Sequence, residues 1–198
     1  VIVSQPGDRW LETAVLSSLN EGAGELFVRL VQNKKFRSQA AAAFLATLAT
    51  QIGQQNQPAD IELAIDQASA LPATNAPFTL PVIGSLTAYR ARNNHHLQQL
   101  SQQGRLATLD ALKSNLVTAA GEASGDPKLS VAQRVAATKS MRFGKLESVS
   151  GPLIKLISNR QPHVVSQAAI EALGTFNSPT IATPLLSAWS KLSPQLRA

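Results

Sequence analysis

The sequence has no cysteine, which excludes a disulfide framework, a zinc-thiolate site, thiol catalysis and covalent haem attachment through Cys-x-x-Cys-His. Aromatic residues make up only 5% and charged residues only 15% of the 198 positions. No apolar run approaches the roughly 18 residues that would span a bilayer, so membrane insertion by this segment is not expected. Ala, Leu, Ser and Gln are plentiful, and 44% of residues are apolar, enough for a buried core. Small residues and few β-branched runs suit closely packed helices, so the expected class is all-α.

A helical unit recurs near the C-terminal end. Val131-Ala132-Gln133-Arg134-Val135-Ala136-Ala137-Thr138-Lys139-Ser140-Met141 aligns with His163-Val164-Val165-Ser166-Gln167-Ala168-Ala169-Ile170-Glu171-Ala172-Leu173 at an offset of 32 residues. Ala136 and Ala137 fall on Ala168 and Ala169, and Met141 on Leu173. Self-similarity at this period indicates a helical solenoid, in which each helix pair buries its apolar face against its neighbours.

Apolar spacing at three and four residues predicts helices near residues 8–19, 24–32, 38–54, 59–71, 76–92, 95–103, 106–123, 130–141, 152–158, 162–173 and 179–192. Asp8 and Ser38 are placed to start the first and third. Trp10, Ala14, Val15 and Leu19 are the expected buried positions of the first; Leu80, Ile83, Leu86 and Tyr89 form the stripe of the fifth. Pro152, Pro162 and Pro179 are expected at helix starts, where the first amides lack partners. Gly144 and Gly174 are expected just past helix ends in the left-handed conformation. Second helices of successive pairs would begin near residues 8, 38, 77, 129, 162 and 194, with one irregular insertion at about 93–104. The expected architecture is a single domain over 1–198, a right-handed α-solenoid (superhelix) of about five HEAT-like helical hairpins.

The runs Arg134-Val135-Ala136-Ala137 and Gln167-Ala168-Ala169-Ile170-Glu171-Ala172-Leu173-Gly174, each after a polar turn, resemble HEAT repeats. More narrowly, Asp8-Arg9-Trp10-Leu11-Glu12-Thr13-Ala14-Val15-Leu16-Ser17-Ser18-Leu19 and Pro184-Leu185-Leu186-Ser187-Ala188-Trp189-Ser190-Lys191-Leu192-Ser193-Pro194-Gln195-Leu196-Arg197 resemble the helical section of membrane-bound dehydrogenases of the planctomycete type. That resemblance implies a parent chain coupling a propeller to a HEAT array and a haem-binding module, and an exported location. Val1 is no initiator Met, and Ser193-Pro194-Gln195-Leu196-Arg197-Ala198 resembles the opening of a further repeat helix, so the sequence reads as part of a longer protein.

The sequence offers little chemistry. Adjacent His95 and His96 point about 100° apart on a helix, whereas metal-binding pairs stand three or four apart. His163 opens a helix and suits a surface or inter-repeat contact. Gly22-Ala23-Gly24 has neither the preceding strand nor the Gly-Lys-Ser of a phosphate loop, and no Gly-x-Ser-x-Gly occurs. Glu62 and Asp66, four apart, read as a solvated helix face. Catalytic, cofactor and metal sites are therefore expected to be absent from this segment, and its expected role is that of a scaffold, spacer or protein-docking module serving a protein partner or flanking domains.

Charge is the stronger signal. The chain carries a net +6, and between Lys128 and Arg160 seven basic residues face one acid, Glu147. Arg29, Lys34, Lys35 and Arg37 form a smaller cluster. The plain reading is a set of solubilising charges. The sharper one is a basic concave face, built on Arg134, Lys139 and Arg142, that meets an acidic protein, a nucleic acid or another polyanion. Only Phe143 interrupts that stretch with an aromatic ring, which argues against base stacking. A small helical-repeat enzyme is the third reading, and it needs a deep pocket with convergent polar groups.

Overall fold

A computed structural model describes residues 7–36, 39–71, 75–88, 95–158 and 160–189. Among them every regular element is helical: α1 (Arg9–Ser18), α2 (Ala23–Gln32), α3 (Gln39–Gln55), α4 (Pro58–Ser69), α5 (Ala76–Ala88), α6 (His95–Gln102), α7 (Ala107–Gly125), α8 (Val131–Ser140), α9 (Leu146–Leu156), α10 (His163–Gly174) and α11 (Ala182–Trp189). Short 3-10 turns occupy Lys34–Phe36, Met141–Phe143 and Pro179–Ile181. No described helix is long and apolar enough to cross a membrane. The chain divides into two compact units, Val1–Lys113 and Ser114–Ala198.

In the first unit the most extensive packing joins helices two positions apart: α2 on α4 and α3 on α5. Gly24 meets Asp60, and Gln32 Nε2 donates to Gln67 Oε1 at 3.2 Å, so α2 and α4 run parallel, in register, at offsets of 36 and 35 residues. The Gln51 amide donates to the Leu16 and Leu19 carbonyls (3.1 and 3.0 Å), and that of Gln55 to Leu19 (2.8 Å). These bonds satisfy the orphan carbonyls at the end of α1. The core holds Phe27, Phe44, Leu48, Ile52, Ile61, Ile65 and Ile83, with Phe36 edge-on to Phe44 at 6.2 Å. α5 contains Pro81, which removes one ladder bond, yet buries seven side chains or backbone positions around its surface; enclosure by neighbours holds it helical.

The second unit repeats the arrangement, with α8 beside α10 and α11 against α9. α8 opens on a capping box: Ser130 Oγ accepts from the Gln133 amide, and Gln133 Oε1 accepts from the Ser130 amide at 3.0 Å. The 32-residue offset has a physical counterpart. The Arg134 side chain donates to the Ser124 carbonyl at 3.0 Å, and Ser166, at the equivalent position 32 residues on, donates to Leu156, 32 residues beyond Ser124, at 2.8 Å. Each second helix thus closes the last turn of the helix before it. Lys139 and Glu171, also equivalent positions, pair at 3.2 Å between α8 and α10.

Several expectations change. α1 has no buried residue: Val15 and Leu19 are half-buried, Ala14 is exposed, and Trp10 is 89% exposed. Trp189, expected in the core with Trp10, is 48% exposed. α9 begins at Leu146, not at Pro152, which lies inside it; the stripe Val149, Leu153 and Leu156 packs as one helix despite the missing amide. Gly144 is extended (φ −79°, ψ 179°), and a Cβ there would stand 2.5 and 2.8 Å from Val149 and Val117 methyls, so space rather than handedness selects glycine. Gly174 ends α10 without a positive φ; Gly7, Gly22 and Gly104 carry that conformation instead. Asp8 caps α1 as expected, accepting from the Trp10 and Leu11 amides at 3.0 and 3.2 Å. Ser38, Tyr89 and residues 190–198 lie outside the described residues, as do 93 and 94 of the irregular insertion, whose remainder is α6 and the turn at Gly104.

Candidate functional site

The three cations expected on one face part company. Arg134 is only 6% exposed. It sits on the buried stripe of α8 with Ala137 and Thr138, and its guanidinium bonds the Ser124 carbonyl and the Gln161 side chain. It therefore ties the end of α7 and the α9–α10 loop to α8 and is not available to a partner. Lys139 is exposed but paired with Glu171. Arg142 is exposed in the turn after α8 and lies 4.8 Å over the ring of Phe143. The spacing of Arg134 three and four residues before Ala137 and Thr138 was the signal that placed it inside.

Helix geometry disperses the remaining cations. Because α7 to α10 alternate in direction, Lys128, Lys155 and Arg160 gather where α7 and α9 end, and Arg142 and Lys145 lie at the opposite end, between α8 and α9. All five are exposed, and none pairs with a carboxylate among the described residues.

The polar cluster that sequence reasoning missed lies in the first unit. Arg105, just after the Gly104 turn, reaches Glu62 Oε2 at 2.6 Å and Asp66 Oδ1 at 3.4 Å. His96 Nε2, buried and without a hydrogen bond, stands 3.2 Å from the other oxygen of Glu62. The hydrogen bond from Arg105 is the main reason the Glu62 carboxyl is held below the ordinary carboxylate range, with partial desolvation opposing it. Arg105 is raised in turn, first by the same bond. Glu62 and Asp66 remain surface groups, as their spacing suggested, but their charge is committed to fastening α6 and its turn onto α4. His95 and His163 are exposed. No group of three or more His, Cys, Asp or Glu among the described residues could hold a metal ion.

What fold and site define together is an all-helical protein in which Glu62, Asp66, Arg105, Arg134, Lys139 and Glu171 act as ties between helices. Set against known proteins, the chain matches no family model, no curated protein and no solved structure.

Proposed function

We propose that the chain is a right-handed α-solenoid of HEAT-like hairpins that serves as a non-catalytic scaffold: a curved spacer and protein-docking module within a larger, exported multidomain protein whose redox domains lie elsewhere. Register carries this reading. Helices two apart pair in parallel at offsets of 35 to 36 residues for α2 and α4 and 32 for α8 and α10, which is how stacked hairpins bury a continuous core. Glu62, Asp66 and Arg105 are engaged in one another, and Arg134 in backbone and carboxamide, so these groups hold helices rather than address a substrate.

Two measurements test it. In a quasi-one-dimensional stack, a chain of residues 114–198 alone should stay helical and unfold cooperatively; loss of helical circular dichroism would contradict the repeat architecture. With the 198-residue chain as bait for lysate of its own source, nuclease-treated and at 200 mM salt, a stoichiometric protein partner should be retained, and one helix face should gain protection from hydrogen exchange. An empty bait at 50 mM salt would refute docking.

A further inference from the structure

The end of the second unit where α7 and α9 finish and α8 and α10 begin gathers more positive than negative charge. Arg134 fixes that these segments meet, since one guanidinium bonds both Ser124 at the end of α7 and Gln161 in the α9–α10 loop. Its partners are neutral acceptors, so a buried cation without a counter-charge underlies this edge. Around it Lys128, Lys155, Arg160 and His163 are exposed. The acids at the same end are Glu122, exposed in the last turns of α7, and Asp126, whose Oδ1 accepts from the Lys128 amide at 2.8 Å. The cations therefore outnumber the acids even with His163 neutral. α10 also starts there with Pro162 as its N-cap and no side-chain acceptor, and the His163 and Val164 amides have no acceptor among the described residues.

We propose that this edge, and not the face built on Arg134, Lys139 and Arg142, docks a phosphate-bearing polyanion in the manner of a duplex nucleic-acid backbone. Phosphates are held by Lys and Arg together with backbone amides at helix N-termini, which is the combination present. Lys128 comes from the α7–α8 loop, Arg160 and the open amides of α10 from the α9–α10 loop at the same end, and Lys155 from the last turn of α9. Base reading is not part of it, because Phe143 lies at the other end of the unit. The exposed cations are independent of the docking role proposed above: lysate capture can fail while duplex binding persists, and the reverse.

Neutralising three phosphates gives a binding constant that falls about 40-fold between 50 and 200 mM salt. The test is fluorescence anisotropy of a 20-base-pair duplex of mixed sequence with the full 198-residue chain. The expected result is binding at 50 mM salt with that salt dependence, at least a tenfold loss in Lys128→Ala/Lys155→Ala/Arg160→Ala, and a change within twofold in Arg142→Ala/Lys145→Ala. All five residues are exposed, and circular dichroism verifies that both variants remain folded. No binding at 50 mM, an equal loss in the two variants, or polyglutamate bound as tightly as the duplex overturns the assignment, the last in favour of an acidic protein.

Discussion

Adding one methyl group at Gly24 and one at Gly151 should move stability in opposite directions. A Cβ on Gly24 would stand 2.6 Å from the Asp60 Cα, 2.8 Å from its Oδ1 and 2.9 Å from its carbonyl oxygen. Ordinary contact begins near 3.4 Å, and two of the three obstructing atoms are backbone, so α2 must retreat from α4 by on the order of 1 Å along an interface that includes buried Phe27 and Ile61. Overpacking of this kind costs about 1 to 3 kcal/mol. The usual gain from replacing a helical glycine, about 0.5 to 1 kcal/mol, is reduced because Gly24 lies in the first turn of α2. Gly24→Ala should therefore lose roughly 1 to 2 kcal/mol, or about 2 to 8 °C in Tm for a chain of this size. Gly151, inside α9 and exposed, has no atom within 4 Å of its would-be Cβ beyond its own chain neighbours and helix backbone. Gly151→Ala should gain up to about 0.5 kcal/mol, less than the usual helical replacement because the ring of Pro152 opposes a side chain on the residue before it. Paired thermal melts, with hydrogen exchange of α2 and α4 amides, read both. A Gly24→Ala protein as stable as the parent would refute the close α2–α4 approach, and with it the in-register packing.

Further outcomes follow from the ties between helices. Arg134→Met should lower stability by about 2 to 3 kcal/mol in urea unfolding, because it removes charge-assisted bonds and leaves the buried Ser124 carbonyl without its donor. Leu173→Ala, at a fully buried position of α10, should cost about 2 to 5 kcal/mol, whereas Lys139→Ala, which breaks an exposed pair, should cost under about 1. Since the folded-state pKa of Glu62 is depressed, its contribution is present above the unfolded value and lost as pH falls through the folded one. Melts below about pH 5 should therefore show a smaller acid loss in Glu62→Gln than in the parent, and an equal loss would show that Arg105 does not hold the carboxylate.

The helices that the sequence reveals most clearly are those with an unbroken apolar stripe. In α3, Ala42, Leu45, Leu48, Ala49 and Ile52 recur at helical spacing and all are buried. α9 was hidden because Gly151 and Pro152, which ordinarily punctuate, lie on its exposed side, while Val149, Leu153 and Leu156 continue the stripe beneath them. Trp10 misled for the opposite reason: its size suggests a core, but α1 is fastened through Gln51 and Gln55 to its last carbonyls and buries no side chain fully. For the candidate site, linear charge density could show that cations cluster along the chain but not that alternating helices send them to opposite ends. The Arg105 bridge joins residues 43 and 39 positions apart, beyond the reach of any helical periodicity.

Every side-chain hydrogen bond described joins residues no more than 43 positions apart. Bonds at such separations close short loops, so each costs little loop-closure entropy to form. At about 5 to 20 residues per second on the ribosome, the 32 residues separating Lys139 from Glu171 emerge in roughly 2 to 6 s, so that α10 arrives to meet an α8 already formed. Within each unit, pairing can then keep pace with synthesis, helix by helix.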